Sequence, residues 1–354
     1  MALYGRPLTE ELIATLTRFP EVELWGMLRR YHIPQSRKPC REPGHSSLGP
    51  LGNLPMELLT TVVEFLDFQS LLRLMRVSLR WKTIVETLPA YLALSTHVQA
   101  QLNTLGITGM LKHHAVSALH GALRLQACAS CFEFGGFLFL PTCERICFAC
   151  LLHNQAYWML SAESAQFCFT LTEAQVRALP ILHAVPGVYF VGASRTQRAP
   201  VELVSVKQAK QLADRVHGSA RMTAVKFVDR EPFIRLPLFQ RLHNISLEPP
   251  GRDLSRARLK ERPDEDYFCG TAAIRFPYVR GGVADIGRLC RGCEYISRNF
   301  EVLPDHVKAQ IVPEGVDKKM PLRAIATRLR SKRGFVEHIV GCYGVERLLA
   351  ESKD

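Results

Sequence analysis

The chain has 354 residues, a formal net charge of +12 at pH 7, 47% hydrophobic residues and eleven cysteines. This length suggests two or three domains with enough chain for a sizeable core. No basic start, apolar run and small-residue cleavage site marks a secretory signal, and the longest plausible membrane candidate, Ala178–Ser194, is too short to span a bilayer and contains Pro180 and Pro186. The expectation is a soluble intracellular chain, cytoplasmic, nuclear or both, whose cysteines bind metal or stay buried as thiols rather than form disulfides.

Residues 1–50 read as an N-terminal helical arm and a flexible linker. Thr9-Glu-Glu-Leu12 opens a helix, and Val22, Leu24, Trp25, Leu28 and Tyr31 continue at mixed helical spacing. From Pro34 to Pro50 the chain is mostly Pro, Ser, Gly, Arg and Lys, a linker composition. Cys40 and His45 lie inside it as an incidental pair.

Residues 51–91 read as three short helices. Pro55 suits a first helical turn, where its missing N–H is no loss, and Glu57 suits the positive end of the helix dipole. Leu58, Leu59, Val62, Val63 and Leu66 repeat at helical spacing as one broad apolar face. Ser70 is the expected cap of a second helix through Leu71, Leu72 and Leu74. Ser78 is the expected cap of a third, with Trp81, Ile84, Val85 and Leu88 inward. A unit of about 40 residues is near the size at which a lone core becomes marginal. This one also carries more large apolar side chains than three short helices can bury among themselves, and the surplus predicts a partner surface.

The ordered set Leu54-Pro55-x-Glu57-Leu58-Leu59, Leu66-Asp67, Leu71-Leu72, Val77-Ser78 and Trp81 resembles an F-box. The family often has Pro where Phe68 stands and an acidic residue where Ser70 stands. What the resemblance implies is a non-catalytic subunit of a Skp–cullin–F-box (SCF) ubiquitin ligase. The helices would dock on a Skp-type adaptor, and through it a cullin, using Leu54, Pro55, Leu58, Leu59, Leu71, Leu72, Val77 and Trp81. The remainder would hold an unidentified protein target. Ubiquitin transfer by other subunits would then be promoted by proximity.

Residues 92–127 are rich in Leu and Ala and read as a helical connector of two or three helices, with His113, His114 and His120 solvated or packed. Residues 128–155 form a zinc-ribbon-like module. Cys128-x-x-Cys131 and Cys147-x-x-Cys150 are paired knuckles able to complete a tetrahedron around zinc with Zn–S distances of about 2.3 Å. Between them Gly135-Gly136 divides two apolar runs, a hairpin-turn signal. Cys143 and His153 are alternates for one member of the set. No RING-type ligand order is present.

Residues 156–354 read as a mixed α/β region, expected to bind the target. Thr172 caps a short helix, and Val188–Val191, Val201–Val206, Thr223–Val228 and Ala272–Val279 are strand candidates. Gln208–His217 is a helix stopped by Gly218. Pro249–Asp266 is a charged loop. Cys290-x-x-Cys293 forms a second candidate zinc set with His338 and Cys342, which share a helix face at i, i+4. Cys168 and Cys269 are expected to be buried small residues. The predicted fold class is therefore α+β and multidomain: a small three-helix F-box, a helical connector, a zinc-stabilised β-hairpin and a mixed C-terminal region.

The chain order, with an F-box ending at Leu88-Pro89-x-Tyr91, the segment GGFLFLPTCERICFACL and a C-x-x-C-bearing tail, resembles F-box proteins of filamentous fungi. Its rival is a zinc-dependent nucleic-acid-binding protein, favoured by the charge and by Lys318-Lys319 and Arg328–Arg333. Only Glu133, Glu144 and Arg145 carry charge between the first cysteine pairs, which gives little phosphate-binding surface, so nucleic acid is the less favoured partner. No phosphate-binding loop, H-E-x-x-H or dinucleotide fingerprint is present, and no residue constellation points to an enzyme.

Overall fold

The computed structural model describes residues 2–3, 6–18, 48–190, 194–197, 199–218, 271–312 and 314–352. The Val22–Tyr31 pattern, most of the linker with Cys40 and His45, the Thr223–Val228 strand, the Pro249–Asp266 loop and Cys269 lie outside the described residues.

The chain starts with β1 (Ala2–Leu3) paired to β2 (Arg6–Pro7), then α1 (Glu10–Leu16) and β3 (Thr17–Arg18). The Thr9 hydroxyl caps α1 by accepting the Leu12 N–H at 3.2 Å, as its sequence predicts. The F-box-like unit contains α2 (Met56–Phe65), α3 (Phe68–Leu74) and α4 (Leu79–Thr87). Ser78 caps α4, accepting the Trp81 N–H at 3.2 Å. Ser70 does not cap α3. Asp67 does, accepting the Ser70 N–H at 2.8 Å and the Ser70 hydroxyl at 2.6 Å. Its two carboxylate oxygens outcompete a lone hydroxyl, and the helix starts three residues earlier, at Phe68 rather than Leu71.

The connector is α5 (Pro89–His97), α6 (Gln99–Ile107) and α7 (Val116–Arg124). It is not a spacer: Phe68 N–H donates to His114 O and Val116 N–H to Leu66 O. Leu59, Val63, Leu71, Trp81 and Val85 therefore share one buried cluster with Leu94, Leu105, Leu119 and Leu123, which relieves the F-box-like helices of needing a core of their own.

The same cluster continues into β4 (Phe137–Phe139), β5 (Glu144–Ile146) and α8 (Phe148–His153). β4 and β5 are antiparallel, but the reversal falls at residues 140–143, with Cys143 at φ 56°, not at Gly135-Gly136. The glycines serve close packing instead. A Cβ on Gly136 would lie 2.4 Å from Leu329 Cδ1, and one on Gly135 3.3 Å from the Cys128 backbone.

Next come β6 (Met159–Ser161), α9 (Ala162–Phe169), α10 (Glu173–Arg177), β7 (Leu182–Ala184), β8 (Gly187–Phe190), β9 (Ser194–Gln197), β10 (Val201–Ser205) and α11 (Val206–His217). Thr172 and Gln175 form a reciprocal capping box on α10. The antiparallel sheet β6-β10-β7 carries a second core, in which Cys168 is buried and its thiol is pushed up to about 12 by desolvation.

The remaining chain forms β11 (Ala273–Arg275), β12 (Tyr278–Arg280), β13 (Val283–Asp285), β14 (Leu289–Cys290), α12 (Arg291–Arg298), α13 (Asp305–Ile311), α14 (Lys319–Ala326), α15 (Lys332–Ile339) and α16 (Tyr343–Glu351). The single strand expected over Ala272–Val279 is two strands serving different sheets. β11 pairs with β4, and β12 with β13. The region beyond residue 156 is accordingly not one α/β unit. β11 completes the cysteine-rich hairpin, and after β14 the described residues are helical.

β14 pairs with β3, so the N-terminal arm folds onto this helical unit, where Ile13 and Leu16 join Ile296, Phe335, Ile339 and Val345 in a third core. Arg145 knits segments together at the centre. Its side chain, 3% exposed, donates to the carbonyls of Gly135 (2.8 Å), Ala122 (2.8 Å), Pro277 (2.9 Å) and Phe276 (2.6 Å). No helix among the described residues is long and apolar enough to cross a membrane.

Candidate functional site

Three places gather the residues singled out by sequence: the outer face of α2 and two clusters of cysteine and histidine.

The expected single apolar face of α2 is two faces. Leu59 and Val63 point inward at 2% exposure each, whereas Leu58, Val62 and Phe65 are 53%, 50% and 73% exposed. Their i, i+4, i+7 spacing sets the outer three in one stripe. Leu54 and Met56 beside the helix start, and Val77 and Leu79 at the entry to α4, are also open to solvent. Of the eight motif positions, Leu54, Pro55, Leu58 and Val77 are thus outward; Leu59, Leu71 and Trp81 are core; Leu72 is half-buried. Phe65, the most exposed of the stripe, is absent from the motif set, although its spacing from Leu58 and Val62 is visible in the sequence.

In the first cluster Cys128, Cys131, Cys147 and Cys150 bring four thiol sulfurs within 4.8 Å of one another, with Cys131 Sγ 3.5 Å from Cys147 Sγ. Zn–S bonds of about 2.3 Å require S–S separations of roughly 3.8 Å, so the sulfurs lie close enough together to be ligands of one ion. The Ser130 and Cys150 N–H groups each donate to a sulfur at 3.4 Å, to Cys128 and Cys147 respectively, interactions that favour thiolate. The neighbouring thiols, Cys131 first, pull the Cys128 thiol far down. Cys143 stays outside the group in the β4–β5 turn, where burial pushes its thiol up to about 12. The His153 side chain lies outside the described residues.

Phe132, beside the first knuckle, is 57% exposed in a left-handed backbone (φ 66°) that a bulky residue rarely adopts. The hairpin phenylalanines belong to the core: Phe137 and Phe139 are fully buried and Phe134 nearly so.

The second cluster unites Cys290, Cys293, His338 and Cys342, again within 4.8 Å. Cys293 Sγ stands 3.2 Å from His338 Nε2, and Cys290 Sγ 3.9 Å from Cys342 Sγ. His338 and Cys342 do not share one continuous helix. α15 ends at Ile339 and Cys342 is the N-cap of α16, the break passing through Gly341. Cys290 and then Cys342 pull the Cys293 thiol far down. Gly292 and Gly344 let α12 and α16 approach this closely: a Cβ on Gly344 would lie 1.9 Å from the Gly292 carbonyl oxygen.

Both clusters are donor sets suited to a soft divalent ion. One is all sulfur, the other three sulfurs and one imidazole, and among these groups only His338 and Cys147 are partly exposed. Segment 328–330 runs between them. Arg328 pairs with Glu133 at 3.7 Å, Leu329 packs against Gly136 and Gly287, and Arg330 reaches Cys293 Sγ at 3.8 Å. The basic run is thus largely engaged, with Lys332 paired to Glu10 and Arg333 to Glu337.

Comparison with protein families matches residues 51–92 to the F-box domain. Comparison with curated proteins and with solved structures gives no match. The chain therefore carries an F-box domain and two separate Cys/His groups able to hold a metal ion.

Proposed function

We propose that this F-box protein is the target-recruiting subunit of an SCF-type ubiquitin ligase, docking on a Skp-type adaptor through the outer face of α2. The observation that carries the reading is the exposed stripe Leu58, Val62 and Phe65 on a helix whose opposite side is committed to the core. A row of large apolar side chains left in water on a well-packed helix marks a partner surface. The chain then does no covalent chemistry itself; it raises the local concentration of a target's lysine near the conjugating enzyme. Co-expression with a Skp-type adaptor from a filamentous fungus tests this. The wild-type pair should co-elute stoichiometrically. Leu58→Asp with Val62→Asp, both exposed, should abolish co-elution without changing the melting temperature. A well-folded wild type that does not co-elute refutes the reading.

We further infer that the two Cys/His groups hold structural zinc, one ion by Cys128, Cys131, Cys147 and Cys150 and the other by Cys290, Cys293, His338 and Cys342. Zinc suits closed sulfur-rich sets, and it would anchor the two-residue strand pairing and short hairpin that these cysteines join. Metal analysis should give two zinc ions per chain, falling to one in Cys128→Ser and staying at two in Cys143→Ser. Iron in place of zinc, or loss of metal in Cys143→Ser, contradicts the assignment.

A further inference from the structure

Between the β12–β13 hairpin and the first turn of α15 lies an open cleft of about 470 Å3, within the range of recesses that take a ligand or part of a peptide. Four cations line it: Arg280 on the hairpin, Arg288 just beyond it, and Lys332 and Arg333 on α15.

Two carboxylates share the lining. Asp285 is already committed, its Oδ1 accepting the Gly287 N–H at 3.0 Å and Arg288 Nη1 at 3.3 Å, and its Oδ2 accepting the Lys332 backbone N–H at 2.7 Å. It satisfies the start of α15 from within the fold, so the helix end is not the attraction. Glu337 is held only by Arg333, in a pair whose side chains are 62% and 84% exposed, an arrangement that water and an incoming anion readily replace.

Arg280 is exposed and has no acidic partner among the described residues. Lys332 is paired with Glu10 at 2.9 Å, again between exposed side chains (54% and 77%). Four cations against three carboxylates therefore leave the cleft one net positive charge, with Arg280 the cation that no carboxylate offsets. One wall is apolar, with Val283 70% exposed and Ala284 beside it.

We propose that this cleft binds an acidic peptide segment, its carboxylates or phosphates meeting Arg280, Lys332 and Arg333 while an apolar side chain lies along Val283. A continuous nucleic-acid backbone fits less well, because Asp285 and Glu337 would face its phosphates and the Val283 wall offers it nothing. The inference names the chemistry of the target for the ligase reading, and rests on that reading only for the fate of the bound chain.

The test is fluorescence anisotropy with the full metal-replete chain and three labelled peptides: a Glu-Ser-Leu repeat, its phosphoserine form and its Gln-for-Glu counterpart. Single-stranded RNA serves as competitor. Both anionic peptides should bind more tightly than the Gln form, and addition of salt should weaken them. A stronger phosphoserine form assigns the anion to phosphate, and equal binding assigns it to carboxylate.

Arg280→Glu with Arg333→Glu should weaken binding about tenfold or more. Arg177→Glu with Arg298→Glu, the same charge change elsewhere on the surface, should leave it unchanged. Equal weakening by both double variants, equal binding of the Gln peptide, or tighter binding of RNA each overturns the proposal. The Leu58→Asp, Val62→Asp chain should lose the adaptor yet keep the peptide, so failure of the adaptor reading and failure of this one are separate results.

Discussion

Replacing Arg145 by Met removes five N–H donors and a buried charge while keeping much of the side-chain volume. Four carbonyls from three distant parts of the chain lose their donor: Ala122 at the end of α7, Gly135 in the cysteine-rich segment, and Phe276 and Pro277 between β11 and β12. Each carbonyl left buried and unsatisfied costs about 1–3 kcal/mol. Relief of the guanidinium's own burial, which pushes its pKa down to about 10, offsets part of this. Loss of one partner from a buried charged network typically costs about 3–5 kcal/mol, and we expect a figure in that range. At about 2–4 °C per kcal/mol for a large domain, the melting temperature should fall on the order of 10 °C. Arg145→Lys keeps the charge but gathers its donors on one atom, which cannot span carbonyls arrayed around a planar fork, so its loss should be intermediate. Thermal melts followed by circular dichroism check both. An Arg145→Met protein melting within about 2 °C of wild type would refute the assignment of Arg145 as the tie between these segments.

Gly344→Ala places a methyl group against the Gly292 backbone rather than against a movable side chain. It should cost about 1–3 kcal/mol or more and lower bound metal from two ions to one with adaptor co-elution intact; unchanged metal and melting would contradict the close-contact reading. Burial pushes the His114 pKa below its ordinary 6.5, opposed only in part by its bond to Leu140 O. The folded state then resists protonation that the unfolded state accepts. The stabilisation is complete above about pH 6.5 and shrinks as pH falls from there towards the depressed folded value. His114→Gln should flatten the slope of melting temperature against pH in that window, and an unchanged slope would show that other groups set it.

Much of this was readable from local chemistry. Thr9, Ser78 and Thr172 cap the helices their sequence assigns them, because a cap is decided within four residues. The first cysteine group and the Cys290–Cys293 half of the second follow from C-x-x-C spacing, which brings two sulfurs together whatever the fold, whereas His338 and Cys342 join across a helix break that their i, i+4 spacing conceals. What failed was decided at a distance. Gly135-Gly136 has the look of a turn, yet the need for a bare backbone there comes from Leu329, nearly two hundred residues later. Leu58 and Leu59 are equivalent letters in the motif, and only the docking of α7 on α2 makes one outer and the other core. The tie made by Arg145 has no sequence signature, since carbonyl acceptors are not encoded by residue type.

The pairing of β3 with β14 has a consequence for synthesis of the chain. Thr17 and Arg18 leave the ribosome well before their partners Cys290 and Leu289, which follow about 270 residues later, on the order of half a minute at ordinary elongation rates. Throughout that interval the F-box and its connector can fold while the first helix waits with its apolar side uncovered. A product cut short before residue 289 would therefore hold a finished F-box beside an orphaned, sticky N-terminal helix.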